Sequence, residues 1–228
     1  MKKRNYFPRI LLFICGTTLN AFGITLITKA YLGTSPISSL PFVLSLGLPP
    51  TFGTLTFIFN MIFLGCQIFL LRRDFQKFQL LQIVVTIVFS FLIDLFMSFF
   101  ANFKPSNYGS SLLLLVLGCL VMALGITMTI NAELIMTPGN AFVKAIAQCM
   151  DKPYGTVEIY FDCTLTVLAV MASFLLFGKF RGVREGTIMS ALLIGAFVNM
   201  YQRVWNFVMA KLQENKAVTT QISDSQYI

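Results

Sequence analysis

The chain has 228 residues, of which 57% are hydrophobic and only 11% are charged. An ordinary soluble domain carries about 45–50% apolar and about 25% charged residues, so this composition excludes a typical soluble protein. The net charge of +8 comes from basic residues in short connectors between apolar blocks, a pattern that favours an anionic membrane surface over nucleic acid as the partner.

Apolar blocks long enough to cross a bilayer recur along the chain, because about 20 residues at about 1.5 Å each span the hydrocarbon core. The six predicted transmembrane helices are residues 10–28, 52–71, 80–100, 111–132, 154–177 and 186–209. Two shorter apolar stretches, 37–48 and 139–150, have about a dozen residues, which is typical of re-entrant or interfacial segments. The sequence leaves open whether these two stretches cross. We expect residues 213–228 to form a disordered cytoplasmic tail.

The basic residues also predict the orientation of the chain. If six helices cross and the amino terminus is inside, most Lys and Arg residues lie on the inner side. This bias predicts a multi-pass protein of a bacterial inner membrane with both termini in the cytoplasm. The connector with Lys179, Arg181 and Arg184 disagrees, because it would lie outside.

A shift of 102 positions aligns the two parts of the chain with each other. Gly, Pro and Gly-Thr positions coincide: Gly16 with Gly118, Gly23 with Gly125, Pro36 with Pro138, and Gly53-Thr54 with Gly155-Thr156. We therefore predict one membrane domain, 1–228, of all-α polytopic class. It consists of two homologous three-helix halves, 10–100 and 111–209, each with a short broken or re-entrant segment after a proline-containing motif.

The relative orientation of the two halves has two solutions. Three crossings per half place the halves in opposite orientations, a recurring plan of secondary transporters. However, the connectors that follow the predicted helices 52–71 and 154–177, which start with the Gly-Thr pairs, are both basic. This suits parallel halves with four crossings each. The sequence does not decide between these arrangements.

The two breaks carry a family resemblance. The first reads Leu32-Gly33-Thr34-Ser35-Pro36 and the second Leu134-Ile135-Met136-Thr137-Pro138-Gly139-Asn140, accompanied by Gly53-Thr54 and Ile93-Asp94. This pattern resembles the YitT/YczE-like family of bacterial integral membrane proteins. The resemblance implies a multi-pass membrane protein for which transport, or help with export, has been suggested. The chain departs from the family at Gly139-Asn140, where the family pattern has Arg-Asp.

The breaks are also candidate sites on physical grounds. Lipid cannot satisfy free backbone groups, so irregular chain at membrane depth must line protein or water. A helix that starts at a buried proline presents free N–H groups and a partial positive charge, which suit an anionic group. The candidate residues are Thr34, Ser35, Pro36, Thr137, Pro138, Gly139 and Asn140, and Thr34, Ser35 and Thr137 are expected to cap the short helices. The alternative is that each break is only a turn at the membrane surface, in which side chains cap the following helix and no ligand binds.

Ionisable residues inside predicted helices form a second candidate site, because burying a charge in lipid costs a few kcal/mol. The acids are Asp94, Glu133, Glu158 and Asp162. The shift places Asp162 on Asn60, and Asp94 on Asn199 if three residues are inserted near Gly182. We predict that Asn60, Asp94, Asp162 and Asn199, with Glu158 nearby, line a solute or proton pathway. The alternative is that they only form hydrogen bonds between helices.

No signature of catalytic or metal chemistry occurs in the chain. Histidine is absent, and the five cysteines show no CxxC spacing. We therefore expect no catalytic residue, no metal site, no cofactor and no enzymatic activity.

Two functions remain. The first is a small secondary-transporter-like protein that moves an unknown small solute. The second is a non-transporting accessory or scaffold protein for another membrane complex. The expected partners are the lipid bilayer, that solute, and a membrane protein partner or a second copy of the chain.

Overall fold

The fold is all-helical. The computed structural model describes residues 6–72, 75–152 and 154–225, and within these ranges 82% of the chain is helical and no strand is present. The α-helices are α1 (Tyr6–Lys29), α2 (Pro36–Ser45), α3 (Phe52–Leu71), α4 (Gln82–Phe99), α5 (Tyr108–Ala132), α6 (Pro138–Met150), α7 (Tyr154–Phe177) and α8 (Glu185–Ser225). A short 3-10 helix, Lys77–Leu81, leads into α4. The predicted all-α class is confirmed.

Five of the described helices, α1, α3, α4, α5 and α7, are long and apolar enough to cross a membrane. They coincide with the first five predicted spans and indicate a membrane-embedded protein. The sixth predicted span, 186–209, lies within α8, which is long enough but less apolar because polar residues such as Asn199, Gln202 and Arg203 follow its apolar start. Its crossing therefore remains a prediction.

The backbone of α8 continues as a helix to Ser225. Residues 213–225 contain neither glycine nor proline, so no helix-breaking residue interrupts α8. The disorder expected for residues 213–228 stays a prediction. Residues 226–228 lie outside the described part of the chain.

The two short apolar segments begin directly at the two prolines. Pro36 and Pro138 occupy the first turn of α2 and α6, where the missing N–H has no helical partner to lose. With 10 and 13 residues, the two helices are about 15 and about 20 Å long. Neither alone crosses a hydrocarbon core of about 30 Å. Before each short helix the chain turns at a residue with positive φ, which is Tyr31 at 58° before α2 and Glu133 at 50° before α6.

Helices α1 and α5 cross in close contact at glycines. A β-carbon at Gly16 would lie 2.8 Å from the carbonyl oxygen of Gly125, and one at Gly118 would lie 3.1 Å from that of Gly23. Because the early residues of α1 face the late residues of α5, the two helices run antiparallel. Glycines at this crossing let the two helix backbones approach closely.

The remaining helices pack around this crossing in matched pairs. Three contacts of the first half recur in the second. Helix α1 packs on α4 as α5 packs on α8, and α2 packs on α3 as α6 packs on α7. Between the halves, α2 packs on α7 as α6 packs on α3. The main apolar core lies between α1, α4 and α5 and includes Ile24, Ile27, Ile93, Leu115 and Cys119. This arrangement leaves the short helices α2 and α6 between the longer ones.

The bundle has two ends, which we name by their polar residues. The threonine end holds the start of α3 and α8 and the first break, with Thr34, Thr51 and Thr187. The glutamine end holds the start of α4 and the second break, with Gln67 and Gln82. An ion pair of 3.1 Å between Arg9 and Glu133 ties the start of α1 to the end of α5 at the glutamine end.

Candidate functional site

The first break is closed against the start of α8. The Thr34 side chain is fully buried, and its hydroxyl lies 2.8 Å from that of Thr28. The Thr34 backbone N–H donates to Thr187 Oγ1 at 3.3 Å, and its carbonyl accepts from Ser190 Oγ at 3.3 Å. Thr34 is thus bonded through both its backbone and its side chain, and it presents no group to a cavity.

Two glycines make this closure tight. The Gly186 N–H donates to the Leu32 carbonyl at 2.8 Å, and a β-carbon at Gly186 would lie 2.5 Å from the same oxygen. Gly33 has φ of 129° and faces Thr187 so closely that a β-carbon would overlap its hydroxyl. Only glycine accommodates both this backbone conformation and this approach. The first break and α8 therefore form a sealed joint.

Asp94 belongs to the same closed end, where it binds the amino terminus of α3. Its Oδ1 accepts the Gly53 N–H at 2.7 Å, and its Oδ2 accepts the Thr51 hydroxyl at 2.6 Å. Thr51 is the N-cap of α3 and accepts the Thr54 N–H at 3.1 Å. A carboxylate suits this position because the first N–H groups of a helix lack helical partners and carry a partial positive charge.

The second break lines an open cavity of about 730 Å³ at the glutamine end. We call it the glutamine cavity. Its polar lining consists of Gln67, Gln76, Gln79, Gln82, Lys144 and Gln148, and the break supplies Leu134, Ile135 and Met136. Residues of α3 and α4 thus face residues of α6 across a space, whereas at the other end the first break touches α8 directly.

Two glutamines of this cavity, Gln67 and Gln82, are buried but incompletely bonded. Gln67 is 2% exposed and Gln82 is 1% exposed. Gln67 Nε2 donates to Gln79 Oε1 at 3.0 Å, yet the Oε1 atoms of Gln67 and Gln82 have no hydrogen-bond partner in the described part of the chain. Buried polar atoms are bonded in the great majority of cases, so two orphan acceptors on residues that line one cavity are unusual, although both oxygens are themselves covered by protein.

The two short helices meet at their amino termini. A β-carbon at Gly139, the second residue of α6, would lie 2.6 Å from Cδ1 of Ile37, the second residue of α2. Pro36, Pro138 and Gly139 are buried, and Thr137 and Asn140 are half-buried beside them. Ser35 and Thr137 are the N-cap residues, but neither side chain makes a capping hydrogen bond, and Thr34 bonds elsewhere. The predicted side-chain capping of these helices is therefore wrong.

The four residues predicted to line a pathway, which we call the predicted quartet (Asn60, Asp94, Asp162 and Asn199), lie in separate environments. Asp94 binds the start of α3, and Asn60 donates to the Thr56 carbonyl of its own helix at 3.0 Å. Asn199 is exposed on α8, and Asp162 is half-buried on α7. Within the described ranges, no hydrogen bond links any two of the four residues, so the quartet is not a bonded cluster. Glu158 lies one turn before Asp162 on α7.

Sequence reasoning missed the glutamines because, inside apolar blocks, it considered only ionisable residues and the positions equivalent to them in the repeat. Gln67 and Gln82 both lie inside predicted spans, and a buried amide in such a position was the available signal. Their convergence required the hairpin of α3 and α4, in which the end of one helix returns beside the start of the next. For metals, the described residues contain no group of three or more His, Cys, Asp or Glu.

The chain belongs to a family of unknown function, DUF6198, whose model matches residues 7–203. No curated protein and no solved structure matches it. The match covers both breaks, the α1–α5 crossing and the glutamine cavity. It does not link the chain to the YitT/YczE-like family, so that resemblance remains a prediction.

Proposed function

We propose that this member of the DUF6198 family is a small secondary-transporter-like membrane protein, which binds a small polar solute between two inverted halves. The observation that carries the proposal is the difference between the two ends of the bundle. At the threonine end the first break is bonded directly to α8, and a shallow, mostly apolar recess of about 280 Å³ lies between α3 and α4, whereas the glutamine end holds a polar cavity of about 730 Å³. A binding site open to one end at a time is what alternating access requires.

Several observations support inverted duplicated halves. Helices α2 and α3 begin at Pro36 and Phe52, and α6 and α7 begin 102 positions later at Pro138 and Tyr154. The packing pairs are exchanged in the same way, since α2 packs on α7 and α6 packs on α3. Equivalent helices α1 and α5 cross antiparallel, which is the relation that a two-fold axis perpendicular to the helices produces. Such an axis lies in the membrane plane.

This axis places the starts of α2 and α6 at the middle depth of the bundle. Ile37 and Gly139 are equivalent positions and touch each other, so they lie at the axis. The same axis passes through the α1–α5 crossing, near the midpoints of both long helices. Two half-helices therefore point their positive amino-terminal ends at the centre, as in transporters with discontinuous helices.

The ends differ at equivalent contacts. At the threonine end, the start of α8 bonds the first break, and Asp94 joins α4 to the start of α3. At the glutamine end, the cavity separates the start of α4 from the second break. There Asn199, the predicted equivalent of Asp94, is exposed, and α7 and α8 form no extended interface within the described residues. If the threonine end adopted the separated arrangement and the glutamine end the bonded one, the first would open and the second would close.

We place the protein in a bacterial inner membrane with both termini in the cytoplasm. The Arg9–Glu133 ion pair puts the start of α1 at the glutamine end, so the glutamine cavity opens toward the cytoplasm. Cys149 lines this cavity, and Lys104 lies in the connector at the opposite end. A membrane-impermeant maleimide should label Cys149 only from the cytoplasmic side and a Lys104→Cys variant only from the other. Labelling of both from one side would contradict this topology.

The proposed alternation, in which one end opens when the other closes, can be tested by weakening the contact between the first break and the start of α8. Gly186→Ala places a methyl group 2.5 Å from the Leu32 carbonyl, whereas Gly195→Ala on the same helix meets nothing within 4 Å and is the matched control. The readouts are maleimide labelling rates of Thr34→Cys at the threonine end and of Cys149 at the glutamine end, with the other cysteines replaced. We expect Gly186→Ala to raise the first rate and lower the second. Unchanged rates, or a rise in both, would argue against coupled ends.

A further inference from the structure

The charge of the glutamine cavity restricts the ligands that it accepts. Lys144 of α6 is a lining residue, and none of the described lining residues is acidic. Glu133, which immediately precedes the lining segment that starts at Leu134, forms an ion pair with Arg9. Lys144 is exposed, and its positive charge favours an anion in the cleft.

The amides add a second requirement. Each glutamine carries one acceptor and two donor hydrogens, whichever way its amide is turned. The orphan acceptors of Gln67 and Gln82 lie on the α3–α4 side, and Lys144 and Gln148 lie on the α6 side. A ligand that satisfies both sides must accept hydrogen bonds with one part and donate them with another. Acetate and sulfate have no donor, and glycerol has no charge, so none of these satisfies both sides.

The size of the cavity sets the third limit. Small-molecule sites have volumes of about 300–1,000 Å³, and the glutamine cavity of about 730 Å³ falls in this range. Its apolar lining includes Leu71, Phe78, Leu134, Ile135 and Met136. The lining is more polar than apolar, which suits a hydrophilic molecule.

We infer that the glutamine cavity binds a small organic anion that also carries hydroxyl or amino groups. Its carboxylate or phosphate group binds Lys144, and its hydroxyl or amino groups bind the amides of Gln67 and Gln82, which turn to bring their buried oxygens to the ligand. The inference names the substrate class for the proposed transport function and rests on it. The same chemistry occurs in anionic lipid headgroups, so the experiment includes a lipid arm.

The test is a thermal-shift measurement on the full chain in nanodiscs of phosphatidylcholine. Gluconate and glycerol 3-phosphate are the anionic probes, sorbitol and glycerol are the neutral counterparts, and acetate and sulfate are anions without donors. A ligand that binds only the folded state raises the unfolding temperature. We expect stabilisation by at least one of the first pair and by none of the others. Stabilisation by neither anionic probe would overturn the inference.

Variants then locate the site. Lys144→Met should weaken binding by at least about tenfold, since a partnered charge is lost, whereas Lys144→Arg retains binding. Lys104→Met, which changes an exposed lysine of the α4–α5 connector, is the matched control and should bind like the wild type. Equal weakening by Lys104→Met and Lys144→Met would show binding outside the cavity.

Gln82→Met gives a readout that does not depend on damage to the fold. Removal of a buried acceptor without a partner relieves its desolvation cost, so the ligand-free protein should unfold at the same or a higher temperature. Binding of the anion should nevertheless weaken. A variant that binds the probe as tightly as the wild type would exclude Gln82 from the site.

The source of the anion is resolved by two further arms. If phosphatidylglycerol nanodiscs stabilise the protein and soluble probes do not, the cavity holds a lipid headgroup and the inference of a soluble substrate fails. Binding without flux of the probe in proteoliposomes would leave the inference standing and refute the transport proposal. Flux of a cation or neutral solute without anion binding would support the transport proposal and refute the inference of an anionic ligand. Slower maleimide labelling of Cys149 in the presence of the probe would localise the binding to the cavity.

Discussion

Replacement of Asp94 separates a structural role from a role in a solute pathway. The carboxylate receives the Gly53 N–H at 2.7 Å and the Thr51 hydroxyl at 2.6 Å, and it is half-exposed. Hydrogen bonds to charged groups contribute about 1.5–3 kcal/mol each, and loss of a helix cap costs about 1 kcal/mol. Because solvent competes for a half-exposed group, we take the lower values. Asp94→Ala should then reduce the free energy of unfolding by about 2–3 kcal/mol.

The assay is thermal unfolding in detergent, followed by the far-ultraviolet circular dichroism of the helices. A loss of 1 kcal/mol lowers Tm by about 2–4 °C for a chain of this size, so Asp94→Ala should lower Tm by roughly 5–10 °C. Asp94→Asn should fall between the wild type and Asp94→Ala, because an amide oxygen still accepts the Gly53 N–H. Asn199→Ala, at the exposed position predicted to be equivalent, should change stability by less than about 0.5 kcal/mol.

Two outcomes would refute this reasoning. If Asp94→Ala unfolds at the wild-type temperature, or if Asn199→Ala loses as much stability, the hydrogen bonds at the start of α3 do not stabilise the fold. If Asp94→Asn retains full stability but abolishes solute flux, Asp94 acts in the pathway and the predicted quartet regains support.

Four further predictions concern individual positions. Gly53→Ala should destabilise the protein by about 1–3 kcal/mol, because its methyl group would overlap the Ser90 carbonyl. Gly65→Ala, with nothing within 4 Å, should stabilise α3 by up to about 1 kcal/mol in the same unfolding assay. Cys149 should react with a water-soluble maleimide in the folded protein, and Cys119, buried in the core, should react only after unfolding. Arg9→Ala should cost at most about 1 kcal/mol in that assay, because its ion pair is partly exposed, and a larger loss would contradict this.

Much of the fold could be predicted because the relevant signals are local. The helices Phe52–Leu71 and Tyr154–Phe177 have the predicted bounds, since the length of an apolar run is visible in the sequence. The short helices begin at Pro36 and Pro138, one residue before the predicted apolar stretches, because proline is favoured at the first helical turn. Helix α8 continues to Ser225, beyond the predicted span 186–209, and residues 210–225 contain no glycine or proline that would interrupt it.

The candidate site was less predictable because its contacts are distant in sequence. Asp94 was recognised as unusual inside an apolar helix, but the sequence alone does not show that it meets Gly53, 41 residues earlier. Gln67 and Gln82 were not singled out, since charge was the signal followed inside apolar helices and amides carry none. Their importance appears only where two orphan oxygens lie at one cavity.

The sequence by itself determined that the protein is helical and membrane-embedded, and it located the prolines at which its two short helices begin. These properties depend on the polarity and backbone preferences of neighbouring residues, which the chain order contains directly. Only the tertiary structure decided that the starts of α2 and α6 meet at Ile37 and Gly139, that the threonine end is sealed and that the glutamine end is open. Those features depend on how near-equivalent surfaces pack against each other. Small differences in packing at the two ends, such as Gly186 against Leu32, are invisible in a linear pattern.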